Sequence, residues 1–196
     1  MVGFTRLCWL ALLTVLLELQ VTLSAQDLDN IDPGRFEKQI LVPACNDPMQ
    51  LAPLRDGSVL FIEREGKLRR ALPGNSLPID LGTIPVAVYG EVGLLGLAID
   101  PNFETTGWIY VMFCPKENPS IMRLARFGIA GNQVDLQTQV SILEYPIDPE
   151  GAIHMGGGLA MSPQGLLHIG TGDNCPPIPE LPVDERPGFL TQDAMR

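Results

Sequence analysis

A unit that recurs three times constrains this chain more than any other feature. It consists of a short apolar strand carrying an alanine, a turn built from Pro, Gly or Asp, and a second β-rich strand. In the first copy, Leu51-Ala52-Pro53 is followed by the turn Arg55-Asp56-Gly57 and by Val59-Leu60-Phe61-Ile62. In the second, Leu97-Ala98-Ile99 leads through a longer turn, Asp100 to Gly107, into Trp108-Ile109-Tyr110-Val111-Met112-Phe113. In the third, Leu159-Ala160-Met161 leads through Ser162-Pro163-Gln164-Gly165 into Leu166-Leu167-His168-Ile169. Such turns reverse the chain cheaply between alternating strands, so each copy predicts a β-hairpin. Residues 122–129 and 140–145 read as two further strands around the turn Ala130-Gly131-Asn132, so one repeat holds about four short strands. The alanines at 52, 98 and 160 lie 46 and 62 residues apart. That spacing brackets the roughly 40 to 50 residues of a propeller blade once a loop insertion is allowed. An all-β propeller is the expected fold, with a β-sandwich of similar hairpins as the alternative.

Composition narrows the function classes. Gly 20 and Pro 18 fill about a fifth of the 196 residues, which disfavours a long helical bundle. Thirteen Lys+Arg against 23 Asp+Glu give a net charge of −10, and Lys occurs only at 38, 67 and 116. With no basic stripe to neutralise phosphates, a nucleic-acid partner is not expected.

The first 25 residues place one cation, Arg6, before a largely apolar run from Leu7 to Leu17, followed by Glu18, Gln20 and the small pair Ser24-Ala25. This pattern predicts a cleaved export signal over 1–25, because a run of about eleven residues is short of the roughly twenty that span a bilayer. A lead-in over 26–42 then precedes the repeat-bearing domain over 43–196, and no stable membrane span is expected after cleavage. Cleavage would remove Cys8 and leave Cys45, Cys114 and Cys175. Their spacing fits no zinc or haem pattern. It allows one disulfide with a thiol left over, an absent partner, or three small buried apolar residues.

Hairpin geometry also predicts where polar chemistry collects. His154 lies ten residues before the turn centre Gln164 and Asp173 nine after it, so antiparallel pairing brings them to one end. Glu91 occupies the matching end of the preceding hairpin. His154 precedes Gly156-Gly157-Gly158, where an uncovered backbone would admit a flat ligand. A histidine there suits a general base near neutral pH, with Asp173 orienting it or contacting substrate. The alternatives are a surface-loop histidine and, for Glu91, a carboxylate capping nearby amides. His168, between Leu167 and Ile169 in a strand, is expected to pack.

Three stretches of the chain resemble the glucose/sorbosone dehydrogenase family of soluble quinoprotein six-bladed propellers. They are the run from Tyr89-Gly90-Glu91-Val92-Gly93-Leu94-Leu95-Gly96 to Phe103 with Gly107-Trp108-Ile109-Tyr110-Val111, Arg123-Leu124-Ala125-Arg126-Phe127, and His154-Met155-Gly156-Gly157-Gly158-Leu159-Ala160 with Gly170-Thr171-Gly172-Asp173-Asn174. Asp184-Glu185-Arg186-Pro187-Gly188 is similar to a loop of a bacterial subgroup. The resemblance covers roughly residues 43–174. It implies an exported enzyme, secreted or periplasmic, that oxidises the CH–OH group of a sugar with pyrroloquinoline quinone and calcium and passes electrons to an external acceptor such as a cytochrome. It assigns His154 as the base, Glu91 to the quinone or sugar, and Asp173 to the substrate side. Ile153 stands where several members carry a polar or acidic residue. The family's calcium ligands and quinone-binding cations come mainly from later blades, so no metal ligand is assigned in this chain. The expectation is an incomplete propeller of two to three blades, inactive alone. A non-catalytic propeller that binds carbohydrate or protein, or a metal-dependent lactonase-type propeller, would share these hairpins.

Overall fold

The computed structural model describes residues 34, 37–150, 152–172 and 174. The chain divides into two compact units, Met1–Ile40 and Leu41–Arg196, and every described strand lies in the second. The expected export signal, Asp173, Cys175 and the Asp184–Gly188 loop lie outside the described residues.

The described strands form consecutive antiparallel meanders. The first sheet has the order β1 (Pro48–Pro53), β2 (Val59–Glu63), β3 (Lys67–Ala71), β4 (Ile79–Thr83). The second runs β5 (Leu94–Ile99), β6 (Trp108–Phe113), β7 (Ile121–Ala130), β8 (Gln133–Pro146), and β9 (Gly156–Met161) pairs with β10 (Leu167–Thr171). These are two four-stranded blades and the opening hairpin of a third, an incomplete β-propeller. The repeated alanines are equivalent in register, Ala52 opposite Leu60, Ala98 opposite Tyr110 and Ala160 opposite His168.

Side-chain alternation makes each blade two-faced. On β6, Ile109, Val111 and Phe113 join Phe127 of β7 in a core shared with Leu60, Ile62, Leu68 and Leu81 of the first blade. Met112, with Leu124 and Cys114, faces the other way, onto a core shared with Leu159 and Met155. The second blade is therefore covered on both sides, and β5 is buried along nearly its whole length. Its approach to β9 is so close that a Cβ on Gly96 would lie 2.0 Å from the Gly157 carbonyl oxygen.

Several expectations need correction. The Asp100–Gly107 connection contains a helical turn, α1 (Phe103–Thr106), closed by Gly107 at φ 64°. β8 starts at Gln133, seven residues before the expected Val140, because the turn is only two residues long. His168 does lie in a strand but is exposed: Leu167 and Ile169 pack on the second core, and period-2 alternation turns His168 to the opposite face. Cys45 is exposed and Cys114 buried, and both are free thiols, so only Cys114 follows the buried reading.

Candidate functional site

Two of the three expected site residues meet at one end of the blades. The loop before β5 carries Glu91, whose N–H donates to the Ala152 carbonyl at 2.7 Å. The Glu91 carboxylate accepts the backbone N–H of His154 at 2.5 Å, across 63 residues of sequence. His154 adopts φ 53°, a left-handed conformation that is uncommon for a non-glycine residue. On its C-terminal side, the register of β9 against β10 continues through Gly172 N–H to Met155 carbonyl at 3.3 Å and Asn174 N–H to His154 carbonyl at 3.4 Å. Gly172 and Asn174 thus lie beside the His154 segment, whereas the expected meeting of His154 with Asp173 falls outside the described residues.

The glycines have a steric cause here. A Cβ on Gly172 would lie 1.5 Å from the His154 carbonyl oxygen. Gly156 and Gly157, at φ 64° and 99°, take backbone conformations that L side chains rarely adopt.

An open pocket of about 330 Å³ lies at this end, lined by Met49, Arg64, Gly90, Glu91, Leu95, Met155 and Gly156. His154 adjoins it through the chain and is exposed. Arg64 has no motif around it that marks it as functional. Its guanidinium donates to Asp47 Oδ2 at 3.1 Å and to the Gly90 carbonyl at 2.9 Å. Behind the loop, Tyr89 donates its hydroxyl to the Pro119 carbonyl at 2.5 Å. Burial, with the neighbouring Cys114 thiol adding to it, pushes the Tyr89 phenol up to about 12, so it stays protonated through the neutral range.

The chemistry available is that of an exposed imidazole whose backbone is pinned by a carboxylate, beside the exposed Gly156; contrary to the expectation of an uncovered glycine run, Gly157 is buried against Leu95 of β5. Among the described residues, no group of three His, Cys, Asp or Glu side chains is placed to hold a metal ion. Among them too, no helix is long and apolar enough to cross a membrane.

The chain is similar to sugar dehydrogenases and to the Hedgehog-interacting protein. Quinoprotein glucose dehydrogenase B of Acinetobacter calcoaceticus is 25% identical over 147 residues, covering 70% of this chain and 31% of that protein. The human Hedgehog-interacting protein is 27% identical over 154 residues, covering 69% of this chain and 22% of that protein. In three dimensions, the quinone-bound aldose sugar dehydrogenase of Streptomyces coelicolor superposes with a TM-score of 0.60 at 29% identity, over 69% of this chain and 41% of that one. The chain therefore spans less than a third of these curated relatives and about two fifths of the solved structure. The family model for glucose/sorbosone dehydrogenases matches residues 45–185, a span that contains Glu91 and His154. The chain belongs to the glucose/sorbosone dehydrogenase family.

Proposed function

We propose that this chain supplies the proton-accepting wall of a quinone-dependent sugar dehydrogenase site, in an exported protein. The observation that carries the reading is the junction of Glu91 with His154 at the glycine-lined end of β9. In this role His154 accepts the proton of the sugar hydroxyl, Glu91 holds the histidine backbone, and Asp173 contacts the sugar. Bound pyrroloquinoline quinone would supply the hydride acceptor.

The fit to the cofactor is one-sided. Gly156 lines the pocket and leaves room for the flank of a flat ring, but a polyanionic quinone also needs cations. The one cation lining the pocket among the described residues, Arg64, already bonds to Asp47 and to a loop carbonyl. Calcium likewise finds no ligand cluster among the described residues. These residues therefore do not by themselves hold either group, and we expect the chain alone to be inactive.

The test is dye-linked aldose oxidation with added quinone and Ca²⁺. It is run on the chain alone and on a chimera joining it to the part of the Streptomyces coelicolor enzyme that it does not cover. The expected result is no turnover alone, and turnover in the chimera that His154→Ala abolishes with folding intact. A chimera that folds and binds quinone yet oxidises no aldose would sink the enzymatic reading.

A second reading has its own support: similarity to the Hedgehog-interacting protein, whose name gives it a protein partner. A propeller that binds a protein or carbohydrate without chemistry would bind its ligand equally well after His154→Ala.

A further inference from the structure

We infer that Arg64 is a positioning residue of this site, holding the loop that carries Glu91 and, through Glu91, setting the backbone of His154. The inference rests on the site reading proposed above.

Arg64 follows β2 by one residue, in the first blade, yet it engages the start of the second blade at three points. Its Nη1 donates to the Gly90 carbonyl at 2.9 Å and to the Val92 carbonyl at 3.4 Å, the two carbonyls that flank Glu91. Its own carbonyl accepts the Leu94 N–H at 2.9 Å. The guanidinium is aimed by Asp47, which accepts from Nε at 3.1 Å and whose backbone carbonyl accepts the Arg64 N–H at 3.0 Å. There is no slack between side chain and loop, because a Cβ on Gly93 would lie 2.5 Å from Arg64 Cγ.

Glu91 then passes the placement on. It grips the third blade's lead-in twice, N–H to Ala152 carbonyl and carboxylate from His154 N–H. His154 is held at φ 53°, a conformation that persists only where surrounding contacts fix it. A planar guanidinium with donors in fixed directions suits two carbonyls and a carboxylate at once, whereas an ammonium on a flexible stem does not.

Amide hydrogen exchange by NMR on the quinone-free chain tests the assignment. Arg64→Ala is expected to speed exchange of the His154 amide about tenfold or more while amides of the β2 and β6 ladders keep their rates. Arg64→Lys should fall between. Glu91→Gln, which keeps an oxygen to accept the His154 N–H, should match the parent, and Glu91→Ala should match Arg64→Ala. The double variant Arg64→Ala/Glu91→Ala should be no faster than either single one, because the two residues act in series. An unchanged His154 amide in Arg64→Ala, additive effects in the double variant, or loss of the whole ladder would each overturn the assignment. Quinone binding, titrated separately by absorbance, reports on the proposed function alone: its absence in the parent chain leaves the exchange result standing.

Discussion

The left-handed backbone of His154 ties this site to glycine chemistry more tightly than to any catalytic motif. Its carbonyl faces Gly172 so closely that an added methyl would overlap the oxygen. Gly172→Ala is therefore expected to destabilise by about 1–3 kcal/mol through forced displacement of the His154 segment. The shift should appear as a lower urea midpoint together with loss of protection at the His154 amide. A stable variant with that amide still protected would refute the steric account. At this scale the sequence was partly legible. The hairpin assigned around Gln164 returns the chain to the His154 segment, where Gly172 and Asn174 bond, since antiparallel pairing leaves little freedom once a hairpin is assigned. Arg64 was not legible, because its partners are main-chain carbonyls, which every residue carries.

Among the strands, β3 shows why a blade can hide from pattern reading. Its sequence Lys67-Leu68-Arg69-Arg70-Ala71 looks like a solvated charge run, and neither it nor β4 was located by the repeat. Arg69 bonds to Glu63 at 3.0 Å, and Glu63 is only 1% exposed and also accepts the Asn46 N–H. Arg70 pairs with an Asp56 that stands largely in solvent. Removing a buried partner leaves an uncompensated charge, which costs about 3–5 kcal/mol, whereas an exposed pair contributes about 0–1 kcal/mol. Arg69→Met should therefore lower the urea midpoint far more than Arg70→Met, and equal effects would disprove this ranking. On β8, burial pushes the Tyr145 phenol up from 10.0 to about 12, and its buried hydroxyl has no hydrogen-bond partner among the described residues. A raised folded-state value stabilises fully below the unfolded value near 10 and is lost as pH climbs from about 10 to about 12. Tyr145→Phe should leave stability at neutral pH unchanged or higher and should lose less of it between about pH 8 and about pH 11 than the parent. An identical alkaline loss in both proteins would count against this.

At the scale of the whole molecule, the three hairpin units of two to three blades were readable from alanine spacing and turn chemistry, whereas the joints between blades were not. Burial patterns reveal which faces touch, but the polar atoms that register one blade on the next depend on three-dimensional neighbours 47 to 109 residues apart. Gln50 on β1 is the clearest case. Its Oε1 accepts the Leu97 N–H of β5 at 3.1 Å and the Leu159 N–H of β9 at 3.2 Å, while its Nε2 donates to the Leu159 carbonyl at 2.6 Å. One amide thus satisfies backbone groups on the first strand of each of the other two sheets, groups that would otherwise be open edge positions. Gln50→Leu keeps most of the volume but removes all three bonds, leaving two N–H groups and a carbonyl unsatisfied at about 1–3 kcal/mol for each group that stays dry. Because β5 and β9 also pack through Gly96 and Gly157, the fold should survive with a lower midpoint for both the β5 and β9 ladders. The decisive measurement is amide exchange: Leu97 and Leu159 should lose protection together in Gln50→Leu, whereas loss at Leu97 alone would mean that Gln50 joins only two blades.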